Sequence, residues 1–207
     1  MATKNICIWG DSITYGAWDT EGGWVDRLRR HLHERTIASG FDEYFWVYNL
    51  GIPGDTTDDI LQRIDAECRA REPHISIFAA GINDSSRLAE TGLPRVSVER
   101  LRKNASALIR RVREVSEAVF WIGLGIIDES AVAAEQESSA DFRHQSVIEH
   151  HEALARVCLA EHVPYLDMLN VLAPEDLIDG LHPNAVGHQK MFEHIRDFLV
   201  AQGVLAR

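Results

Sequence analysis

Apolar residues fall along this chain in two alternating rhythms. Residues 5–9 (NICIW), 45–50 (FWVYNL), 75–80 (ISIFAA), 119–124 (VFWIGL) and 163–168 (VPYLDM) are short apolar runs, mostly β-branched or aromatic. Gly or a turn follows several of them, and such runs read as strands buried on both faces, the mark of a parallel sheet. Between them apolar positions recur every three or four residues. The stretch 24–38 puts Trp24, Val25, Leu28 and Leu32 on one side, with Arg27, Arg29, Arg30 and His33 elsewhere. Stretches 58–71, 96–115, 142–161 and 186–201 carry the same helical period.

Five strands alternating with five helices form a βαβ series, hence an open parallel α/β sheet with helices on both faces. No internal repeat, Ser/Pro linker or composition shift divides the chain, so one domain spanning 1–207 is expected. The polar, acidic segment 128–141 (DESAVAAEQESSAD) follows the fourth strand. It reads equally as a loop over the sheet edge or as the start of the next helix, because Ala, Glu and Gln are good helix formers.

Composition narrows the partners. With 21 Lys and Arg against 32 Asp and Glu, the net charge is −11. That argues against nucleic acid and anionic membrane, which both require a basic footprint. The start, MATKNICIWG, lacks the longer apolar region and cleavage site of a secretory signal. The longest uncharged apolar stretch, 118–127, falls well short of the roughly 20 residues that span a bilayer. A cytoplasmic location without stable membrane association is therefore expected. Cys7, Cys68 and Cys158 show no CxxC pairing and read as reduced thiols. Apolar helix faces left uncovered at a sheet edge would allow a homo-oligomer.

Ligands of an open parallel sheet bind beyond the carboxyl ends of the strands. Small and polar clusters follow four of them: Gly10-Asp11-Ser12-Ile13, then Gly51-Ile52-Pro53-Gly54-Asp55, then Gly81-Ile82-Asn83-Asp84, and finally Asp179-Gly180-Leu181-His182-Pro183. Taken singly, Ser12 reads as a helix N-cap and the Gly and Asn-Asp pairs as turns. Jointly they supply acyl-transfer chemistry. A serine hydroxyl needs a base to take its proton, and the base needs a partner to fix its tautomer. Ser12, His182 and Asp179 are those three types, and Asp-x-x-His lets one loop supply two of them. The Ser12 N–H, the Gly51 N–H and the Asn83 amide are candidate donors for an oxyanion hole. Asp11 and Asp84 read as structural ties for the loops that aim Ser12 and Asn83.

In these four blocks the sequence resembles the SGNH or GDSL hydrolases, which are named for a Ser, Gly, Asn and His in four separate blocks. All four are present in the family's order, with Ile13 where the name-giving motif has Leu. The resemblance implies a flavodoxin-like three-layer α/β/α sandwich acting as an esterase or acylhydrolase on a small-molecule carboxylic or thio ester. Ser12 would be the nucleophile, His182 the general base and then acid, and Asp179 its orienting partner. The oxyanion would rest on Ser12, Gly51 and Asn83. Family members need no metal or cofactor, so none is expected.

Other readings remain beside this one. Acyl transfer to an alcohol would use the same triad, and an idle sugar- or acyl-binding module would use the same cleft. A flavodoxin-like nucleotide binder is disfavoured, because Gly10–Gly16 lacks the Gly-Lys-Ser/Thr end of a phosphate loop. The His pairs at 31/33, 150/151 and 182/188 lack zinc-site spacing and read as solvated surface. Trp9, Trp46 and Trp121 read as core, whereas Trp18 and Trp24 are candidates to line a substrate pocket. The loops 13–23, 85–95 and 125–141 are where specificity is expected to reside.

Overall fold

The structure, a computed structural model, describes residues 2–134 and 140–205. The chain runs β1 (Ala2–Gly10), α1 (Ser12–Tyr15), α2 (Gly23–Ala38), β2 (Glu43–Gly51), α3 (Thr57–Arg71), β3 (Ile75–Ala79) and α4 (Ile82–Ser85). It continues with β4 (Arg87–Leu88), α5 (Val98–Arg113), β5 (Ala118–Ile122), α6 (Glu129–Ala134) and β6 (Ala140–Asp141). The last elements are α7 (His144–Ala160), β7 (Tyr165–Leu166), a 3-10 turn (Pro174–Asp176) and α8 (Ala185–Ala201).

Side chains along β1 alternate between two cores, as the two-residue strand period requires. Cys7 and Trp9 join Ile60 and Ile64 of α3, Leu108 of α5 and Leu154 of α7 on one side of the sheet. Ile6 and Ile8 join Trp24 and Leu28 of α2 and Ile195 and Leu199 of α8 on the other. Both faces are thus covered and the architecture has three layers, in agreement with the expected α/β/α sandwich. The five strands are all parallel in the order β2-β1-β3-β5-β7. This is the doubly wound order whose chain reversal lies between β1 and β3.

Helix starts follow local capping chemistry. Thr56 and Asp59 form a capping box at α3, Ser97 accepts from Arg100 N–H at α5, and Asn184 accepts from Gly187 N–H at α8.

Four sequence expectations need correction. The start of segment 128–141 is a separate short helix, α6, and not the first turns of α7. Its end, β6, pairs antiparallel with β4; residues 135–139 lie outside the described part. Trp46 is half exposed because β2 is an edge strand with no strand beyond it. The fifth strand shrinks to two residues. Lastly, His150, His151 and His188 are buried, not solvated. His150 lies between the Ser146 and Val96 carbonyls, and His151 meets the Tyr165 hydroxyl.

Candidate active site

The carboxyl ends of β1, β2 and β3 meet where the chain order reverses. At the first of them, Gly10 lets the strand turn sharply: a Cβ there would lie 2.4 Å from the Ala79 carbonyl oxygen. Asp11 follows in extended backbone and accepts the Ile13 N–H at 3.0 Å, which caps α1. Ser12 is therefore the first residue of a one-turn helix standing on a strand end. Burial pushes the Asp11 carboxyl up to about 7. Asp84 plays the matching part below Asn83, accepting the N–H and hydroxyl of Thr57 and so tying α4 to the start of α3. Burial pushes its carboxyl up to about 6 against those bonds. These are the tying contacts expected of Asp11 and Asp84.

The Asp179–His182 loop closes on itself. Asp179 Oδ1 accepts the N–H groups of Leu181 at 2.9 Å and His182 at 2.7 Å. Gly180 takes φ +83°, and a Cβ there would press on the Asp128 carbonyl at 2.7 Å. Asp179 Oδ2 stands 2.5 Å from His182 Nδ1, and His182 Nε2 stands 2.8 Å from Ser12 Oγ. A carboxylate only accepts, so Nδ1 carries the proton and Nε2 offers its lone pair to the serine O–H. Burial works against the Asp179 charge, but the hydrogen bonds from the His182 ring, His182 N–H and Leu181 N–H outweigh it and hold the carboxyl at about 2. Ser12, His182 and Asp179 are thus brought together in one hydrogen-bonded line.

The three oxyanion candidates do not all arrive. Asn83 lies on the cleft wall, its Nδ2 donating one proton to the Asp55 carbonyl at 3.0 Å and keeping a second free. Ser12 N–H is on the same wall. Gly51, however, is the last residue of β2, and its N–H donates to Asn49 Oδ1 at 3.0 Å. A Cβ at Gly51 would lie 2.4 Å from the Tyr15 nitrogen, so this glycine serves close packing of α1 on β2. The glycine that lines the cleft is Gly54, at φ +84° with open space around its Cβ position. Both glycines stand in one block, and the pairing of Gly10 with Gly51 at the strand ends is what separates them.

The cleft measures about 830 Å³ and is lined by Ser12, Trp18, Gly54, Asn83, Arg95 and His182, among others. Trp18 holds a left-handed backbone at φ +65° and is 69% exposed. Its ring stands edge-on to His182, 6.2 Å between centroids. Trp24 does not reach the cleft. It is fully buried against the sheet and lines a separate cavity of about 40 Å³ behind α1. Behind Trp18, a buried ion pair of Asp19 and Arg27 fixes the loop, with Asp19 also accepting the Glu21 and Gly23 N–H groups. Arg95, Asp19 and Arg27 carry no signal in the sequence that would have marked them.

Among the described residues no cluster of three His, Cys, Asp or Glu side chains could hold a metal ion. Nor, among them, is any helix long and apolar enough to cross a membrane. The three cysteines are free.

Residues 8–190 match the model of the GDSL-like Lipase/Acylhydrolase family. The chain is 27% identical over 124 residues to Esterase TesA of Pseudomonas aeruginosa, covering 59% of this chain and 55% of that protein. It spans about half the length of the curated relatives it matches. Among solved structures, a lipase/acylhydrolase from Enterococcus faecalis superposes with a TM-score of 0.75 at 26% identity, covering 96% of each chain. Axe2, an acetylxylan esterase from Geobacillus stearothermophilus, superposes with a TM-score of 0.72 at 18% identity, over 95% of this chain and 92% of that one. That last likeness is one of fold.

Proposed function

The chain belongs to the GDSL-like lipase/acylhydrolase family, and from that premise we propose that it is a serine esterase working through an acyl-enzyme intermediate. One observation carries the reading: His182 stands between Asp179 and Ser12 at 2.5 and 2.8 Å. No other arrangement of these types so directly makes a serine oxygen nucleophilic.

Ser12 Oγ attacks the ester carbonyl carbon as its proton passes to His182 Nε2. The carbonyl oxygen gains the negative charge and is held by donors aimed at it. We assign these to the Ser12 N–H, the free Asn83 amide proton and the Gly54 N–H, which replaces Gly51 because the Gly51 N–H is already engaged. Asp179 keeps the imidazole in its tautomer and supports its charge. As the tetrahedral centre collapses, the C–O bond to the alcohol breaks and His182 returns its proton to the leaving oxygen. Water then repeats the cycle on the acyl-Ser12 ester and frees the acid.

The alcohol must depart on the His182 side, where Trp18 offers an exposed aromatic edge. A small or medium ester fits a cleft of about 830 Å³. The test is hydrolysis of p-nitrophenyl esters from acetate to long chains by the wild-type protein and Ser12→Ala. Ser12-dependent turnover is expected. No turnover across the series, or turnover unchanged in Ser12→Ala, rejects the proposal.

A further inference from the structure

The cleft holds one charge that the ester chemistry above does not use. Asp19 is neutralised by Arg27, and Asp179 is engaged by His182. Arg95, which lines the same cleft, donates Nη1 to the Gly54 carbonyl at 3.2 Å. Among the described residues it forms no ion pair. Asp55, the carboxylate next to Gly54, is paired with Arg63; Asp59 is held by the Thr56 N–H and hydroxyl and stands near enough for the Arg95 charge to help lower its pKa, but not in an ion pair with it. The Arg95 backbone is firmly placed: its N–H donates to the Ser86 carbonyl at 2.7 Å, and the next N–H, of Val96, to Asp84 at 3.1 Å. Among the described residues Nη1 makes the side-chain contact, to Gly54, and the Nε and Nη2 edge meets no acceptor; that edge is the fork that grips a carboxylate with two parallel hydrogen bonds. Among the described residues of the cleft wall it is the cation without an ion-pair partner, in a chain of net charge −11 whose overall field repels anions.

We infer that Arg95 is a specificity-determining residue that binds an anionic group, such as a carboxylate, on the acyl part of the ester. The inference rests on the esterase reading. The acyl side follows from the proton path. His182 must face the leaving oxygen, so the alcohol is directed toward His182 and Trp18, and Arg95, anchored on Gly54 beside the assigned oxyanion donor, is left to the acyl side.

The experiment compares two p-nitrophenyl esters of equal chain length, the hexanoate and the mono-adipate, after subtracting the uncatalysed rate. The readout is the ratio of kcat/KM for adipate to that for hexanoate. Arg95→Gln should lower the ratio about tenfold, the scale of one charge-assisted pair, and Arg95→Lys should recover part of it. Added salt should lower the wild-type ratio and leave that of Arg95→Gln nearly flat. A ratio unmoved by Arg95→Gln, with hexanoate still hydrolysed, overturns the inference and leaves the esterase reading standing. Absence of Ser12-dependent turnover of either ester overturns both. Matching melting temperatures for the variants separate either result from misfolding.

Discussion

Asp179 grips His182 twice, by its backbone N–H at 2.7 Å and by its ring Nδ1 at 2.5 Å, with one oxygen of the carboxylate for each. The same group thus shapes the loop and sets the tautomer. Asp179→Asn keeps an oxygen for one of these bonds and presents an amide N–H to the other, so the ring can settle with its proton toward Ser12. We expect kcat to fall by about 10⁴ with the fold retained. Steady-state kinetics beside circular dichroism measures both, and near-normal turnover would count against the role given to Asp179.

The two glycines of the second block should part company on mutation. Gly51→Ala forces a Cβ to within 2.4 Å of backbone under α1, so a clear loss of melting temperature is expected together with lost activity. Gly54→Ala meets no neighbour and bears only the strain of its left-handed backbone, about 1–2 kcal/mol. Its main effect should be on kcat, through a displaced N–H donor. A Gly54→Ala protein with unaltered kcat would return the donor role to another group.

The Asp19–Arg27 pair is almost fully enclosed, with 0% and 5% of the two side chains accessible. Removing one partner strands the other charge, so Arg27→Met should cost about 3–5 kcal/mol in urea unfolding. Activity should fall as well, since the loop that presents Trp18 hangs on this pair. Equal stability of variant and wild type would show that the pair adds nothing to the fold.

His188 is buried with neither ring nitrogen partnered among the described residues, and burial lowers its pKa to about 4. Its folded value lies below the ordinary histidine value of about 6.5. Its contribution to stability is therefore complete above that pH and drains away as pH falls toward 4. Asp11 and Asp84, raised by burial, act in the opposite direction over the same range and favour the folded state as acid is added. The informative quantity is the difference between variant and wild type. His188→Leu should gain on wild type steadily in melting temperature from pH 7 to pH 4. A constant offset would contradict the assignment.

How far the sequence carried can be judged from particular residues. Strand runs and helical periods were legible because alternation and the 3.6-residue period express burial directly, as Cys7 and Trp9 against Ile6 and Ile8 illustrate. Ser12, Asn83, Asp179 and His182 were legible because each follows a strand and their types have one joint use. Gly51 and Gly54 look alike in the sequence because a glycine's job depends on what its N–H meets, and for Gly51 that is Asn49, two residues away. The burial of His150, His151 and His188 leaves no pattern in the sequence because histidine is amphipathic; His150 and His151 find carbonyls and a hydroxyl, and His188 is simply enclosed. Trp18 and Trp24 read alike as pocket candidates, and only Trp18 lines the cleft, since helix phase buries Trp24 and a left-handed turn exposes Trp18. Arg95 belongs to the cleft only through contacts across distant segments, which no local window contains.

The line from Asp179 through His182 to Ser12 joins positions 170 residues apart, one just past the first strand and the other just ahead of the final helix. Ser12 therefore emerges from the ribosome long before Asp179 and His182 exist. A chain that has reached β3 carries Ser12 without its base, which comes only with the last βα segment.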